Sequence, residues 1–223
     1  MKKVREIKSF VLRSSRMTLL QKKAYHTLYN SHGIKYSENI LDYNKIFKVK
    51  DIIAEIGFGM GEATIEIAEK NMDKGYIAID VHKPGIGKLL NEIEKRGLEN
   101  IKVIECDAVK VFEKMIPDKS LIGVHIFFPD PWPKKKHHKR RLIREDNIKL
   151  IAEKLKTGGY IYVCTDWENY AGQILDVMNK VNSLKNKYKD FAPKQLWRPV
   201  TKFETKGVKK FHIIREVFFE KKI

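Results

Sequence analysis

The sequence predicts an α/β protein built on a doubly wound sheet that is mostly parallel, with an antiparallel edge strand near the C-terminus. From residue 51 onward, short apolar runs typical of buried strands alternate with segments of helical periodicity. At this spacing the alternation indicates a parallel sheet that is covered by helices on both faces. The 223 residues, of which 43% are hydrophobic, suffice for one globular core. We therefore expect a basic N-terminal extension with a helix over residues 1–50 and one domain over residues 51–223.

The individual elements follow from the same periodicities. The predicted strands comprise residues 51–56, 75–80, 101–106, 121–128 and 160–164. The predicted helices comprise residues 62–70, 84–96, 109–115, a segment that extends to about residue 155, and 167–181. Thr18 is expected to cap a helix in the N-terminal extension, and residues 157–159 are expected to form a C-terminal helix cap. After residue 182 the alternation ends, so residues 197–199 and 201–207 are expected to be loops, and residues 211–219 a final strand in a hairpin.

The net charge of the chain indicates what kind of molecule the protein binds. Lys and Arg number 45 against 28 Asp and Glu, which gives a formal net charge of +17. Such a surface favours polyanions, with nucleic acid as the first expectation and an anionic membrane as the second. No apolar run approaches the roughly 20 residues of a spanning helix, and no metal or membrane partner is expected. Cys106 and Cys164 end apolar runs without metal-type spacing, so we expect free thiols and a cytoplasmic location.

One stretch combines an acid, an aromatic residue and a long basic run. Pro129, Pro131 and Pro133 fix their own φ angles and favour extended conformations at the residues before them. The pattern predicts a stiff loop, here called the ledge (residues 128–133), that presents Asp130 and Trp132 at the end of a buried strand. An ordinary turn followed by a solvated charge run is the alternative. The histidines in the basic run have no acid or cysteine at suitable spacing, so no metal site is predicted.

Acidic residues end or follow each of the first four predicted strands. They are Glu55, Asp80, Asp107 and Asp130. Because ligands of doubly wound sheets bind beyond the carboxyl ends of the strands, these acids are expected to share one rim. Glycines at 57, 59 and 61 follow the first strand and allow a ligand to approach the backbone closely. The dinucleotide fingerprint places its third glycine at position 62, where this chain has a glutamate, and this disfavours an NAD-dependent oxidoreductase.

The segment Glu55-x-Gly57-x-Gly59-x-Gly61, with Asp80 and Asp107, resembles the first three motifs of Rossmann-like methyltransferases that use S-adenosylmethionine. The resemblance implies that the glycine loop passes the methionine part and that Asp80 holds the ribose. It also implies that Asp107 and Ala108 face the adenine. The expected cofactor-binding residues are Glu55, Gly57, Gly59, Gly61, Asp80, Asp107, Ala108 and Asp130.

The ledge and the basic run after it are similar to the signature of tRNA (guanine-N7)-methyltransferases. Three further segments match that family in order: residues 9–13 with 16–18, Thr165-Asp166, and Thr201-Lys202-Phe203-Glu204. Departures are small: the family often has glycine at position 15, glutamate at position 80 and arginine at position 206.

The resemblance implies roles for residues of the ledge and of the C-terminal motifs. Asp130 is the expected catalytic acid, with an orienting and electrostatic role, and Trp132 either stacks on the base or packs under the loop. The expected substrate contacts are Lys134, Asp166, Thr201, Lys202, Phe203 and Glu204. The expected phosphate contacts are Lys136, Lys139, Arg140 and Arg141. The residues leave two alternatives open, an N-cap role for Asp166 and a plain surface turn for residues 201–204.

The expected activity is transfer of a methyl group to N7 of a guanosine in tRNA, which the family usually directs to position 46 in the variable loop. Guanine N7 carries a free lone pair, so the enzyme mainly has to align the reacting atoms. Two alternatives stay open. One is methylation of an exocyclic amine, since Asp130-Pro131-Trp132 resembles the motif of amino-methyltransferases, and the other is a non-catalytic RNA-binding module. The chain is expected to be a monomer or a homodimer.

Overall fold

The computed structural model describes residues 9–10 and 16–223, and its centre is one seven-stranded sheet. The strands are β1 (Asp51–Ile56), β2 (Lys74–Asp80), β3 (Ile101–Glu105), β4 (Leu121–Phe127), β5 (Leu155–Thr165), β6 (Leu184–Asn186) and β7 (Arg215–Lys221). Their order is β3-β2-β1-β4-β5-β7-β6. Strands β1 to β5 run parallel, and β7 runs antiparallel to both β5 and β6. The predicted fold class is confirmed.

Helices cover both faces of the sheet. They are α1 (Leu19–His32), α2 (Tyr43–Ile46), α3 (Glu62–Glu69), α4 (Lys83–Arg96), α5 (Ala108–Lys114), α6 (Glu145–Lys154), α7 (Glu168–Asn179) and α8 (Lys202–Val208). A 3-10 helix spans Lys135–Arg140. The predicted helices α3 to α7 are confirmed within a few residues at each end.

The two faces of the sheet pack against separate hydrophobic cores, and successive residues of each buried strand alternate between them. In β1, Ile52, Ala54 and Ile56 join the core under α5, α6 and α7, whereas Ile53 faces the core under α3 and α4. Because successive strand residues point to opposite faces, a strand that is apolar throughout is covered on both sides. The order of strands reverses between β1 and β4, so their carboxyl ends define the crevice where doubly wound proteins bind ligands.

The connection between α6 and β5 differs from the prediction. Residues 157–159 do not cap α6; Leu155, with extended backbone, is its C-cap, and the chain enters β5 directly. Gly158 has a φ of +75° within this strand. The register of pairing with β4 shifts there, from Leu121–Leu155 to Gly123–Tyr160. The glycines therefore lie in an irregular part of the strand. From sequence alone, such a glycine pair cannot be distinguished from a helix cap.

The C-terminal segment also departs from the prediction. The segment 201–207, expected to be a loop, forms the N-cap and most of α8. The helix begins where Thr201 Oγ1 accepts a hydrogen bond from the backbone N–H of Glu204 at 3.1 Å. The final strand begins at Arg215 rather than at residue 211, and it pairs with β5 and with the short β6, which the sequence did not predict. Because β6 has three residues, its periodicity carries little information.

The N-terminal extension packs on the sheet domain. Thr18 caps α1 as predicted and forms a reciprocal capping box with Gln21. A Cβ added to Gly87 of α4 would lie 2.3 Å from the carbonyl oxygen of Gln21, so glycine permits the close crossing of the two helices. Residues 1–8 and 11–15, which carry part of the predicted basic arm and N-terminal motif, lie outside the described residues. The division at residue 50 stays a prediction.

Two predictions from composition concern the cysteines and membrane-spanning helices. Cys106 and Cys164 are both free, and Cys164 is fully buried. Within residues 9–10 and 16–223, no helix is long and apolar enough to cross a membrane.

Candidate active site

The glycine loop between β1 and α3 leaves space beside its backbone. Gly57, Gly59 and Gly61 have φ angles of +75°, +59° and +75°. A Cβ at Gly57 or Gly59 would meet nothing within 4 Å, so this side of the loop is open to a ligand. Gly61 begins α3 and lies against Leu89 of α4.

Asp80 at the end of β2 holds the glycine loop in place. Its Oδ2 accepts a hydrogen bond from the Gly59 N–H at 2.8 Å. Its Oδ1 accepts from the N–H groups of Val81 and His82 at 2.6 and 2.9 Å. Burial raises the pKa of Asp80, although these backbone N–H groups act in the opposite direction. The two donors to Oδ1 use both of its lone pairs, but Oδ2 accepts from Gly59 alone and retains a lone pair for a hydroxyl of a bound ribose.

Glu55 and Asp107 flank this loop at the ends of β1 and β3. Glu55 is 3% exposed, and burial, with a contribution from the nearby charge of Asp80, raises its pKa to about 7. Asp107 caps α5, where its Oδ1 accepts from the Val109 N–H at 3.0 Å, and Ala108 is the first residue of that helix. An open glycine backbone beside one buried and two partly exposed carboxylates fits a ligand with a cationic centre and ribose hydroxyls, as S-adenosylmethionine has.

The ledge has a different backbone from the one predicted. Phe128 and Trp132 have φ angles of +50° and +44°, so the expectation of extended conformations before the prolines is wrong at these two residues. Tertiary hydrogen bonds hold this strained geometry: the Phe128 N–H donates to Cys164 O at 2.8 Å, and Arg141 Nε donates to Pro131 O at 2.8 Å. Strained backbone of this kind accumulates at functional sites. Asp130 is exposed at the tip of the ledge.

Trp132 is packed within the ledge. Its Nε1 donates to the carbonyl of Ser9 at 3.2 Å, and the guanidinium of Arg140 lies 5.0 Å from the ring centroid. His137 meets the ring edge-on, with centroids 5.8 Å apart. Trp132 therefore packs within the ledge, and its stacking on the base stays a prediction.

Arg141 differs from the other predicted phosphate contacts. Lys136, Lys139 and Arg140 are exposed on the 3-10 helix, but Arg141 is 1% exposed. Its guanidinium donates to Gln173 Oε1 and to Asn169 Oδ1, and it lies 4.6 Å from the ring centroid of Tyr170. Since protein atoms enclose it, Arg141 does not fit the predicted phosphate contact. It instead anchors the ledge to α7, a long-range role that the charge run does not reveal.

Helix α8 connects the glycine loop with the ledge. Lys202 Nζ donates to Glu62 Oε1 at 2.5 Å, and the same oxygen accepts from Lys88 at 2.5 Å. The Phe203 ring stacks on Phe128 with centroids 6.4 Å apart. The structure therefore brings Thr201, Lys202 and Phe203 to the predicted rim.

Glu204 points to the inside of the protein rather than to the rim. It is 8% exposed, its Oε2 accepts from Arg198 Nη1 at 2.5 Å, and its Oε1 accepts from Lys194 at 3.1 Å. Arg198 is 2% exposed and also donates to Glu216 Oε1 and to the Tyr162 hydroxyl. In the structure Glu204 therefore pairs with Arg198 and Lys194, and its contact with substrate stays a prediction. No local pattern indicated this role of Arg198, because its partners lie at unrelated spacings along the chain.

Asp166 follows β5 beside the ledge. Its Oδ2 lies 3.1 Å from His212 Nδ1. It does not cap α7, since Trp167 is the N-cap residue and the Trp167 N–H donates to Thr165 Oγ1 at 3.2 Å. The alternative role as a helix cap is therefore wrong. Lys134 is exposed at the start of the 3-10 helix. Within the described part of the chain, no group of three or more His, Cys, Asp or Glu side chains is arranged to hold a metal ion.

Gly85→Ala is expected to displace the glycine loop. A Cβ at Gly85 would lie 1.7 Å from the carbonyl oxygen of Gly59, so either α4 or the loop must move. We expect a destabilisation of about 1–3 kcal/mol in urea unfolding and a weaker dissociation constant for S-adenosylmethionine in calorimetry. Gly172→Ala in α7 is the matched control, because its Cβ meets nothing within 4 Å. Equal behaviour of the two variants would contradict the packing argument.

Glu55→Gln is expected to change how stability depends on pH. The folded pKa of about 7 lies above the unfolded value of about 4.5, so the folded state holds the proton more tightly. The contribution of Glu55 to stability is therefore present below about pH 4.5 and is lost as pH rises through about 7. The shift corresponds to roughly 3 kcal/mol. The free energy of unfolding in urea should be measured from pH 4.5 to 8. Over this range wild type should lose stability relative to Glu55→Gln by about that amount. The same pH dependence in both proteins would contradict the raised pKa of Glu55.

Comparisons with known proteins agree with this geometry. Among solved structures, a 16S rRNA methyltransferase, KamB, matches with a TM-score of 0.60 at 12% identity, over 83% of this chain and 95% of that one. An S-adenosylmethionine-dependent O-methyltransferase from Thermotoga maritima matches with a TM-score of 0.53 at 17% identity, over 94% of this chain and 68% of that one. At such identities the likeness concerns the fold. The fold is the Rossmann-like sheet that these methyltransferases share.

Sequence comparison gives the particular family. A family model described as "Putative methyltransferase" matches residues 49–217. The tRNA (guanine-N(7)-)-methyltransferase of Nitrosomonas eutropha is 48% identical over 96% of this chain and 96% of its own length. That of Neisseria meningitidis serogroup A is 50% identical over 97% of this chain and 92% of its own length. The chain belongs to the tRNA (guanine-N7)-methyltransferase family of enzymes.

Proposed function

We propose that this protein transfers a methyl group from S-adenosylmethionine to N7 of a guanosine in tRNA, at position 46 of the variable loop. The observation that carries the proposal is that the glycine loop, Asp80 and the ledge lie together at the carboxyl ends of the strands, where the order of the strands reverses. Near 50% identity to relatives named for this reaction supports it. The net charge of +17 supports a polyanionic substrate.

The chain's own residues have distinct tasks in this proposal. Gly57 and Gly59 let the cofactor approach the backbone, and Asp80 accepts hydrogen bonds from its ribose. Asp107 and Ala108 border the adenine. The bound cofactor supplies an electrophilic methyl group. A cytoplasmic location and a monomeric or dimeric state remain predictions.

On the substrate side, Asp130 accepts hydrogen bonds from N1–H and the exocyclic amine of guanine. This contact distinguishes guanine from adenine and aligns N7 with the methyl carbon. The carboxylate also stabilises the positive charge that moves onto the base. Lys134, Asp166 and the start of α8 border the nucleotide, and Lys136, Lys139 and Arg140 contact phosphates.

Methyl transfer from labelled S-adenosylmethionine to an unmodified tRNA transcript tests the proposal, with the product nucleoside identified by mass spectrometry. We expect 7-methylguanosine, and its loss from a transcript with adenosine at position 46. A methylated exocyclic amine would establish the alternative reaction. Bound RNA without methyl transfer would leave a binding module and refute the enzyme.

A further inference from the structure

An open groove lies between the first turn of α7 and the turn that follows α8. Its volume is about 430 Å³, and one wall is formed by residues 166–169 and the other by residues 211–213. The groove begins at Asp166, directly after β5. Arg141 donates to Pro131 O in the ledge and to Asn169 Oδ1 in the groove wall, so the groove borders the ledge that carries Asp130.

Phe211 is the unusual residue of this groove. Its side chain is 95% exposed, and its φ is +60°, a value that bulky residues rarely adopt. Two hydrogen bonds hold the turn: the Phe211 N–H donates to Val208 O at 2.9 Å and the His212 N–H to Gly207 O at 3.0 Å. A strained backbone therefore presents an aromatic ring to solvent, and no core packing compensates for the strain. Such an outlier indicates a function at that position.

The charges around the groove favour an anion-bearing ligand. The two carboxylates in its wall already have partners, Asp166 with His212 and Glu168 with Arg215, each at 3.1 Å. On the α8 side, three exposed lysines stand close to Phe211 in the chain: Lys206, Lys209 and Lys210. An exposed ring beside lysines is the combination with which proteins hold single-stranded nucleic acid, the ring stacking on a base and the cations on the phosphates.

We propose that this groove is a second nucleotide subsite, in which Phe211 stacks on an unpaired base that neighbours the methylated guanosine. The inference rests on the proposed function, because it takes the RNA to be the tRNA substrate. It adds a positioning residue that acts on the substrate and not on the cofactor. Stacking there holds the variable loop while Asp130 engages the target base.

The turn itself allows a clean test. Phe211→Gly removes the ring and suits a positive φ, so it should fold at least as well as wild type. Phe211→Leu keeps an apolar side chain without a π face, and Phe211→Trp keeps the stacking surface. Met72→Ala is the matched control, since Met72 is 51% exposed in the turn before β2, at the opposite end of the sheet.

Steady-state kinetics with an unmodified tRNA transcript is the measurement. We expect Phe211→Gly and Phe211→Leu to raise KM for tRNA about tenfold, with Phe211→Trp and Met72→Ala near wild type. The dissociation constant for S-adenosylmethionine should be unchanged. Transcripts with a single abasic nucleotide next to the methylated guanosine should locate the stacked base, because the effect of Phe211→Gly disappears on that transcript.

The results that would refute the proposed function differ from those that would refute the subsite. If wild type does not methylate tRNA, the proposed function fails. If wild type is active and Phe211→Gly has an unchanged KM for tRNA, the subsite is refuted while the function stands. If Phe211→Leu behaves like wild type, base stacking is refuted. If the variants weaken S-adenosylmethionine binding instead, the groove belongs to the cofactor site and the inference is overturned.

Discussion

Replacing Asp130 with alanine is expected to lower kcat for tRNA methylation by about 10²–10³-fold. The carboxylate is exposed, so its removal should not disturb the fold. Its position depends on the ledge, which the bonds from Phe128 N to Cys164 O and from Arg141 Nε to Pro131 O hold at 2.8 Å each. A fixed charge beside the base stabilises the transition state without reorganisation, and that advantage is lost in the variant. The measurement is single-turnover methyl transfer with saturating tRNA.

Asp176→Ala provides the control, because Asp176 is an exposed acid two turns into α7. It should leave the rate unchanged. Asp130→Asn separates two roles of the carboxylate. If Asp130 orients the base, the residual rate of Asp130→Asn should depend little on pH, whereas a proton acceptor would give a rate that rises with pH. Full activity of Asp130→Ala would remove Asp130 from the mechanism.

Replacing Arg198 with methionine is expected to destabilise the protein by about 3–5 kcal/mol. The Arg198 side chain is 0% exposed, and it pairs with Glu204 and Glu216, whose side chains are 10% and 4% exposed. Methionine has similar length but removes the cation that the two buried carboxylates share, and Glu204 then keeps only Lys194. Because Glu204 belongs to α8, the loss should also loosen the helix that contacts Phe128 and the glycine loop. Urea unfolding followed by far-UV circular dichroism measures the change.

The pH dependence distinguishes lost charge pairing from lost packing. Burial raises the pKa of Glu204, but the hydrogen bonds from Arg198 and Lys194 outweigh it and hold the pKa below its ordinary value. A lowered folded pKa gives stability that is present above the unfolded pKa and is lost as pH falls through the folded value. The Glu204 part of the difference between wild type and Arg198→Met should therefore shrink below about pH 4. Burial raises the pKa of Glu216 to about 7, so the Glu216 part should already shrink as pH falls below about 7. A difference that is constant with pH would indicate packing alone.

Arg96→Met is the control for this prediction. Arg96 also bridges two carboxylates, Glu69 and Glu92, but its side chain is 40% exposed. Solvated pairs contribute little, so we expect a change of at most about 1 kcal/mol. Equal losses in Arg96→Met and Arg198→Met would contradict the argument from burial.

Local patterns were sufficient for strands β1 to β5 and for the rim at their carboxyl ends. Strands β1 to β5 are apolar runs separated by helical segments, and both features depend on neighbouring residues. The glycine loop, Asp80 and Asp107 follow their strands directly, so the carboxyl ends of a parallel sheet necessarily bring them to one rim. The short strand β6 and the helix α8 carry no such periodicity, and the sequence did not predict them.

The fold class, the rim and the family resemblance could be predicted because they rest on short motifs. Other features depend on contacts between residues that are distant in the chain, and they became visible only in the folded structure. Local patterns did not determine which residues of the basic run are exposed: Arg141 is buried because α7 supplies Gln173 and Asn169 as partners. Nor did they show that Glu204 is paired with Arg198, or that Phe128, Trp132 and Phe211 have positive φ angles. Hydrogen bonds from remote segments can outweigh local backbone preference, and such bonds exist only once the chain has folded.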